Sequence, residues 1–286
     1  MGASRWRVRP LGNKGPRLTN PWIAAVSAIF IWWFSTGIIL WRVRHADNEG
    51  HQAHLWSVML GLPLLLGGVA GFLTTLDDAS AYGAYIAFLS ALAIWGWIEL
   101  AFLSGIISGP NTTVCPPDVP LWDRFLRACG TIAWHELLLI GTLAIIAILS
   151  DGASNIFALW TFAILFFARI SAKLNLFFGV PRIHTEFLPR PLAHLDSHFR
   201  RAPMNAAFPL SITALSFASA CWLERLWAAQ TDGAVVGFTL LSALTLLALL
   251  EHWFMVLPLP DQKLWRWMMP APKPTPARLK ENSHGL

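Results

Sequence analysis

The sequence predicts an all-α integral membrane protein, a polytopic bundle of about seven transmembrane helices. Three observations carry this. The 286 residues are 55% hydrophobic and only 13% charged, with a mean hydropathy of +0.52, whereas soluble domains carry about 25% charged residues. Apolar stretches recur at lengths near the ~20 residues that cross a ~30 Å hydrocarbon core. Trp outnumbers Tyr by 16 to 2, which suits interfacial belts and a lipid-facing surface. Helices follow because a lone segment in lipid must satisfy its own backbone hydrogen bonds.

Residues 1–20 form a basic arm containing Arg5, Arg7, Arg9, Lys14 and Arg17. The membrane domain, 21–258, holds spans at about 21–41, 55–76, 80–107, 128–149, 153–178, 206–223 and 234–257. The first apolar run is too long for a cleaved signal peptide and lacks a convincing cleavage site, so it reads as a retained span. Residues 259–286 are a polar, Pro-rich tail of disorder-prone composition. The net charge of +5 resides mainly in tails and loops. It bears on topology rather than on nucleic acid, for which no motif is present. Cys115, Cys129 and Cys221 are scattered, odd in number and without CxxC spacing, against a disulfide framework or thiolate metal site.

The connections alternate. Those at 75–79, 150–152 and 224–233 are short and acidic, so spans 2–3, 4–5 and 6–7 read as tight hairpins. Those at 42–54, 108–127 and 179–205 are long and share one side with the C-terminal tail. Most Lys and Arg fall on that side. The positive-inside rule therefore places it in the cytoplasm and the N-terminus outside. The basic arm departs from this, and a six-span version in which 153–178 does not cross would put both termini inside. All nine His fall on the long-loop side.

Charge in hydrocarbon is expensive, so intramembrane ionisable groups face a bundle interior and pair, or snorkel at the interface. Glu99, Glu136, Arg169, Lys173, Asn175 and Glu251 form the candidate polar network. In the loop before span 6, Leu192–Arg201 reads as an amphipathic α-helix lying in the interface. Its Leu188, Leu192, Leu195 and Phe199 lie near one stripe and His194, His198 and Arg201 on another, with an i,i+4 pair Asp196–Arg200. His194 and His198 at i,i+4 can share a metal, or one can supply the axial nitrogen to a chlorin magnesium; solvated interfacial His is the simpler reading. His135, His184 and His252 complete the candidate pigment or metal ligands. A histidine-rich membrane oxygenase or desaturase is an alternative, but the sequence offers one HxxxH, one HxxH (His51–His54) and no HxxHH box. Mid-membrane Trp32, Trp33, Trp95, Trp97, Trp134, Trp160 and Trp253 could line a pocket for a flat aromatic ligand or serve packing. Gly61, Gly67, Gly68 and Gly71 favour close helix approach, with Gly67-x3-Gly71 of the small-xxx-small type.

Several runs resemble the photosynthetic complex assembly protein 2 (PuhE) family of purple and related phototrophic bacteria. They are Trp32-Trp-Phe-Ser-Thr-Gly37, Lys173-Leu-Asn-Leu-Phe-Phe-Gly-Val-Pro181, Glu186-Phe-Leu-Pro189, Ala202-Pro-Met-Asn205, Phe208-Pro-Leu-Ser211 and Leu250-Glu-His-Trp-Phe-Met-Val-Leu-Pro258. The resemblance implies a multi-span inner-membrane protein that assembles reaction-centre and light-harvesting complexes or controls their bacteriochlorophyll supply. It transfers no catalytic residues, and an enzymatic role is not the favoured expectation. Bacteriochlorophyll or a precursor is the implied transient ligand. Lipid, photosynthetic-complex subunits and pigment-biosynthesis enzymes are the implied partners. Glu186, Arg190, Asp196, Arg200, Arg201 and Asn205 mark the loop as a candidate docking surface.

Overall fold

In the computed structural model, residues 17–258 are described; the basic arm up to residue 16, the C-terminal tail and His284 lie outside them. After a 3-10 turn at Arg17–Thr19 come α1 (Pro21–Glu49), α2 (His51–Thr74), α3 (Ala81–Leu103), α4 (Leu121–Leu149), α5 (Phe157–Phe178), α6 (Ala207–Ala228) and α7 (Asp232–Phe254). All seven are long and apolar enough to cross a membrane.

Local chemistry explains their starts. The Asn20 side chain accepts the Trp22 amide at 2.9 Å and Pro21 opens α1, an entry that needs no amide from its first residue. Ser80 and Thr231 hydroxyls accept the amides of Gly83 and Ala234 at the starts of α3 and α7. Outside the spans, the Ser80 hydroxyl and amide hold the Asp78 carboxyl below its ordinary 3.8.

Several boundaries differ from the sequence reading. The long connection expected at 42–54 is absent. α1 continues to Glu49, and Gly50, with φ of 100°, alone separates it from α2. A left-handed φ is open to glycine at no steric cost, so the polar residues there extend helices instead of looping. α4 likewise begins at Leu121, which makes Arg124 and Arg127 helical.

α3 and α7 are the most buried spans. They pack on each other and on α5, while α1, α2, α4 and α6 lie around them. The core contains Phe88, Ile98, Phe162, Leu240, Leu241 and Leu244. Gly61, Gly68 and Gly71 seat α2 on α3, each within 3.1 Å of α3 side chains or backbone were a Cβ present. Gly67 faces open space, so the expected Gly67-x3-Gly71 pair is not the contact. The seam follows positions 61, 68 and 71 because α2 turns ~100° per residue.

The short-connection end is closed by hydrogen bonds. The Asn155 amide donates to Leu76 O at 2.8 Å and its side chain to Asp78 O at 3.0 Å, joining two hairpins. The other end carries the polar connections. There, residues 179–206 form a strap across α1, α4, α5 and α7.

Candidate functional site

At that end, α1, α3, α4, α5, α7 and the strap enclose a cavity of about 980 Å³, near the upper bound of ligand pockets of about 300–1,000 Å³. Its wall is mostly apolar and includes Trp32, Trp95, Phe125 and Phe177. A depression of about 450 Å³ at the opposite end has no basic residue in its lining.

Four helices, α3, α4, α5 and α7, bring charge to the cavity wall. Arg169 Nη2 donates to Glu99 Oε2 at 2.7 Å, and Lys173 Nζ donates to Glu136. Both cations stand over the Phe102 ring, at 5.8 and 5.4 Å from its centroid, a favourable placement on the negative ring face. His135 stacks on the same ring with centroids 4.2 Å apart. Its Nε2 lies 3.6 Å from Glu99 Oε1, beyond hydrogen-bond range. Phe102 is therefore the hub of the charged group. The sequence reading missed it, although its position one turn from Glu99 on α3 was a usable signal.

Glu251 behaves differently. It shares a face of α7 with Leu244, Ala248 and Met255, all lining the cavity, and is exposed there. Among the described residues no hydrogen bond or ion pair reaches its carboxyl. Neighbouring His252 is buried, with Nδ1 2.7 Å from Ala248 O and Nε2 2.9 Å from Ser171 Oγ. Because a carbonyl only accepts, Nδ1 holds the proton and Ser171 donates to Nε2. Asn175 stands apart from the charged pairs. It donates to Ser171 O at 3.0 Å and Ser211 Oγ at 2.9 Å, and accepts from Asn205 at 3.1 Å.

The strap is pinned at both ends. Gly179 has φ of 122°, and the Val180 and Ala202 amides bond to Arg200 O and Val180 O, each at 3.2 Å. Asn205 donates to Gly179 O at 2.7 Å and accepts the Ala207 amide at 2.8 Å, seating the start of α6. Along its course, Arg44 donates to Glu186 O, and Asp47 receives the Arg190 amide at 3.2 Å and faces His54 at 3.2 Å. His184 pairs with Glu186 at 3.0 Å.

The amphipathic segment is present, but Arg190–His198 is a 3-10 helix rather than the expected α-helix. At three residues per turn, Leu192, Leu195 and His198 form one buried stripe, the leucines packing on Phe102. His194 is rotated off that stripe, so His194 and His198 do not share one face as the α-helical reading expects. The Asp196–Arg200 pair is also replaced: Asp196 faces Arg201 at 4.0 Å, both exposed. Arg200 instead gives its amide to Leu176 O at 3.0 Å. Burial lowers both the His194 and His198 imidazoles below their ordinary 6.5.

The tryptophans divide between the two readings. Trp32 and Trp95 line the cavity, whereas Trp97 donates to Val58 O at 3.0 Å and Trp160 packs edge-on against Trp222. Trp134 is exposed on the outer surface. Arg182, Arg44, Asp47 and Arg124 also hold or line the site, and nothing in their local spacing marked them. Among the described residues, no three of His, Cys, Asp and Glu converge as metal ligands. The histidines are dispersed over separate partners, unlike the clustered donor set that an oxygenase iron requires.

Comparison with known proteins places this geometry in a family. A relative in Rhodobacter capsulatus, named as an uncharacterized 30.4 kDa protein in the puhA 5′ region, is 61% identical over 254 residues, covering 89% of this chain and 93% of the relative. No solved structure matches the chain. The family model described as protein of unknown function (DUF3623) matches residues 18–276, and the chain belongs to that family.

Proposed function

We propose that this protein is an assembly factor for bacterial reaction-centre and light-harvesting complexes, and that it holds bacteriochlorophyll or a precursor in the intramembrane cavity to control its delivery. The observation that carries the reading is the cavity itself, large, apolar and flanked by Trp32 and Trp95, at the end where the histidines gather. The puhA neighbourhood in the name of the 61% identical relative, together with the resemblance to the photosynthetic complex assembly protein 2 family, supports the setting.

The residues present fit such a ligand. Indole faces suit a flat conjugated ring. Of the five candidate histidines, His184, His198 and His252 line the cavity, while His135 and His194 do not. When bound, the pigment supplies a conjugated ring and a metal able to accept one electron pair. The chain's part is to exclude water, orient the ring and present a donor. The strap, with Arg190, Arg200 and Arg201 exposed, is the surface that would meet a complex subunit or a biosynthetic enzyme. In this reading the membrane is the bacterial inner membrane, with the N-terminus periplasmic and the strap and C-terminus cytoplasmic, as the distribution of Lys and Arg favours.

Deleting the gene in a bacteriochlorophyll-producing host is expected to lower near-infrared absorption by reaction-centre and light-harvesting complexes. Unchanged spectra and complex levels would remove the photosynthetic role. Crosslinking through the strap is expected to trap a subunit or pigment enzyme in the same host.

A further inference from the structure

Glu251 is the acid in the cavity wall that the bundle leaves unused. Leu244, Ala248, Glu251 and Met255 share one face of α7 and line the cavity, and Glu251 is exposed on that face. Among the described residues no hydrogen bond or ion pair reaches its carboxyl. Arg169 is close enough to act on it electrostatically, but its hydrogen bond goes to Glu99. A carboxylate in a mostly apolar wall without a partner is unfavourable, and both of its oxygens are open to a ligand.

The other donors in the wall are occupied or shut away. Glu99 and Glu136 each accept from a cation through one oxygen, and the second oxygen of each is buried. His252 donates from Nδ1 to Ala248 O and accepts from Ser171 at Nε2. The Nε2 atoms of His184 and His198 are buried, and their Nδ1 atoms face Glu186 and His194 O. Cys129 offers sulfur, a soft donor that suits magnesium poorly, whereas a carboxylate oxygen suits it well.

The height of Glu251 suits a ring lying against the tryptophans. α7 packs on α1 and α3, which carry Trp32 and Trp95. A Cβ at Gly233 would lie 2.0 Å from Ala79 O, which sets the starts of α7 and α3 level. Both helices run from there toward the strap, so Trp95 and Glu251 stand within about one 5.4 Å turn of each other along the axis.

We infer that the Glu251 carboxylate is the axial donor to the metal of a planar macrocycle seated in the cavity. This rests on the pigment-holding reading above. The bond forms from an electron pair on a carboxylate oxygen to the metal, a solvent molecule leaves the axial position, and no oxidation state changes.

The test uses purified full-length protein in detergent, titrated with a magnesium chlorin and with its metal-free form, followed by absorption and infrared difference spectroscopy. The magnesium form is expected to bind at least about tenfold tighter, a difference of ~1.4 kcal/mol, and to shift a carboxylate stretching band. Glu251→Ala should bind both forms equally and lose that band shift. Glu251→His should restore the preference through a nitrogen donor, without the carboxylate shift. Equal binding of the two forms by the unaltered protein overturns the axial role without requiring any variant to fold. A magnesium preference that survives in Glu251→Ala overturns it too. Either outcome leaves the pigment cavity standing, whereas no saturable binding of either chlorin overturns the pigment reading itself.

Discussion

Glu99 and Glu251 are both intramembrane acids at one end of the bundle, yet their surroundings differ. Glu99 is buried and bonded to Arg169 at 2.7 Å. Removing one member of such a pair leaves an uncompensated charge, while removing both is far milder. Glu99→Gln and Arg169→Gln are therefore each expected to lower thermal stability in detergent, and the double variant to recover part of the loss. The coupling should be about 0.5–3 kcal/mol, the range for residues in direct contact. Additive losses would show that the pair contributes no more than two separate groups. Glu251→Gln removes a carboxylate that no described residue meets in hydrogen bond or ion pair, so its unfolding temperature should stay level or rise. A large fall would mean that the carboxyl is engaged by a group outside the described residues.

At the scale of the helices, the glycines give the sharpest contrast. A Cβ at Gly237 would lie 2.1 Å from the Phe157 ring, whereas one at Gly67 would meet nothing within 4 Å. Gly237→Ala is expected to cost about 1–3 kcal/mol, as overpacking of a filled core does. Gly67→Ala should be neutral or slightly stabilising, because alanine favours helix. Reversed effects in a denaturation series would contradict the packing described. This contrast also marks what was legible in the sequence. Span number and order follow from apolar length, which lipid enforces on every segment separately. Which face of α2 meets α3 depends on both helices, so Gly67 could not be told from Gly68 by spacing. The strap shows the same division. Its alternation of leucines and polar residues announced an amphipathic segment, but Pro191 near its start and the anchors at Asp47 and Arg124 lie behind its 3-10 course. That tighter winding puts His194 and His198 on different faces of the segment. Glu99, Arg169, Glu136 and Lys173 were visible as charges in apolar runs, while their pairing and the Phe102 hub required tertiary contact.

The whole molecule is polarised along its axis. At one end, Asn155 and the hairpin turns close the bundle with short hydrogen bonds. At the other, the cavity lies beneath a strap whose hold on the bundle is a handful of hydrogen bonds to α1, α4, α5 and the end of α7 and the packing of Leu192 and Leu195 on Phe102. Regions held by few contacts open at lower free energy than the core and do so as units. The strap is thus expected to open without the spans unfolding. Asp47 is the natural point of attack, since it holds both the Arg190 amide and His54. Asp47→Ala should speed amide hydrogen exchange across residues 179–206 and admit trypsin at Arg182, Arg200 and Arg201. Exchange in α3 and α7 should remain slow, and the Asn155 hairpins should be unaffected. Asp47→Asn keeps a side-chain carbonyl to accept the Arg190 amide and should lie between the two. If exchange instead rises in α3 and α7 together with the strap, the strap and bundle are a single cooperative unit. Access to the cavity would then require partial unfolding of the spans rather than movement of the strap.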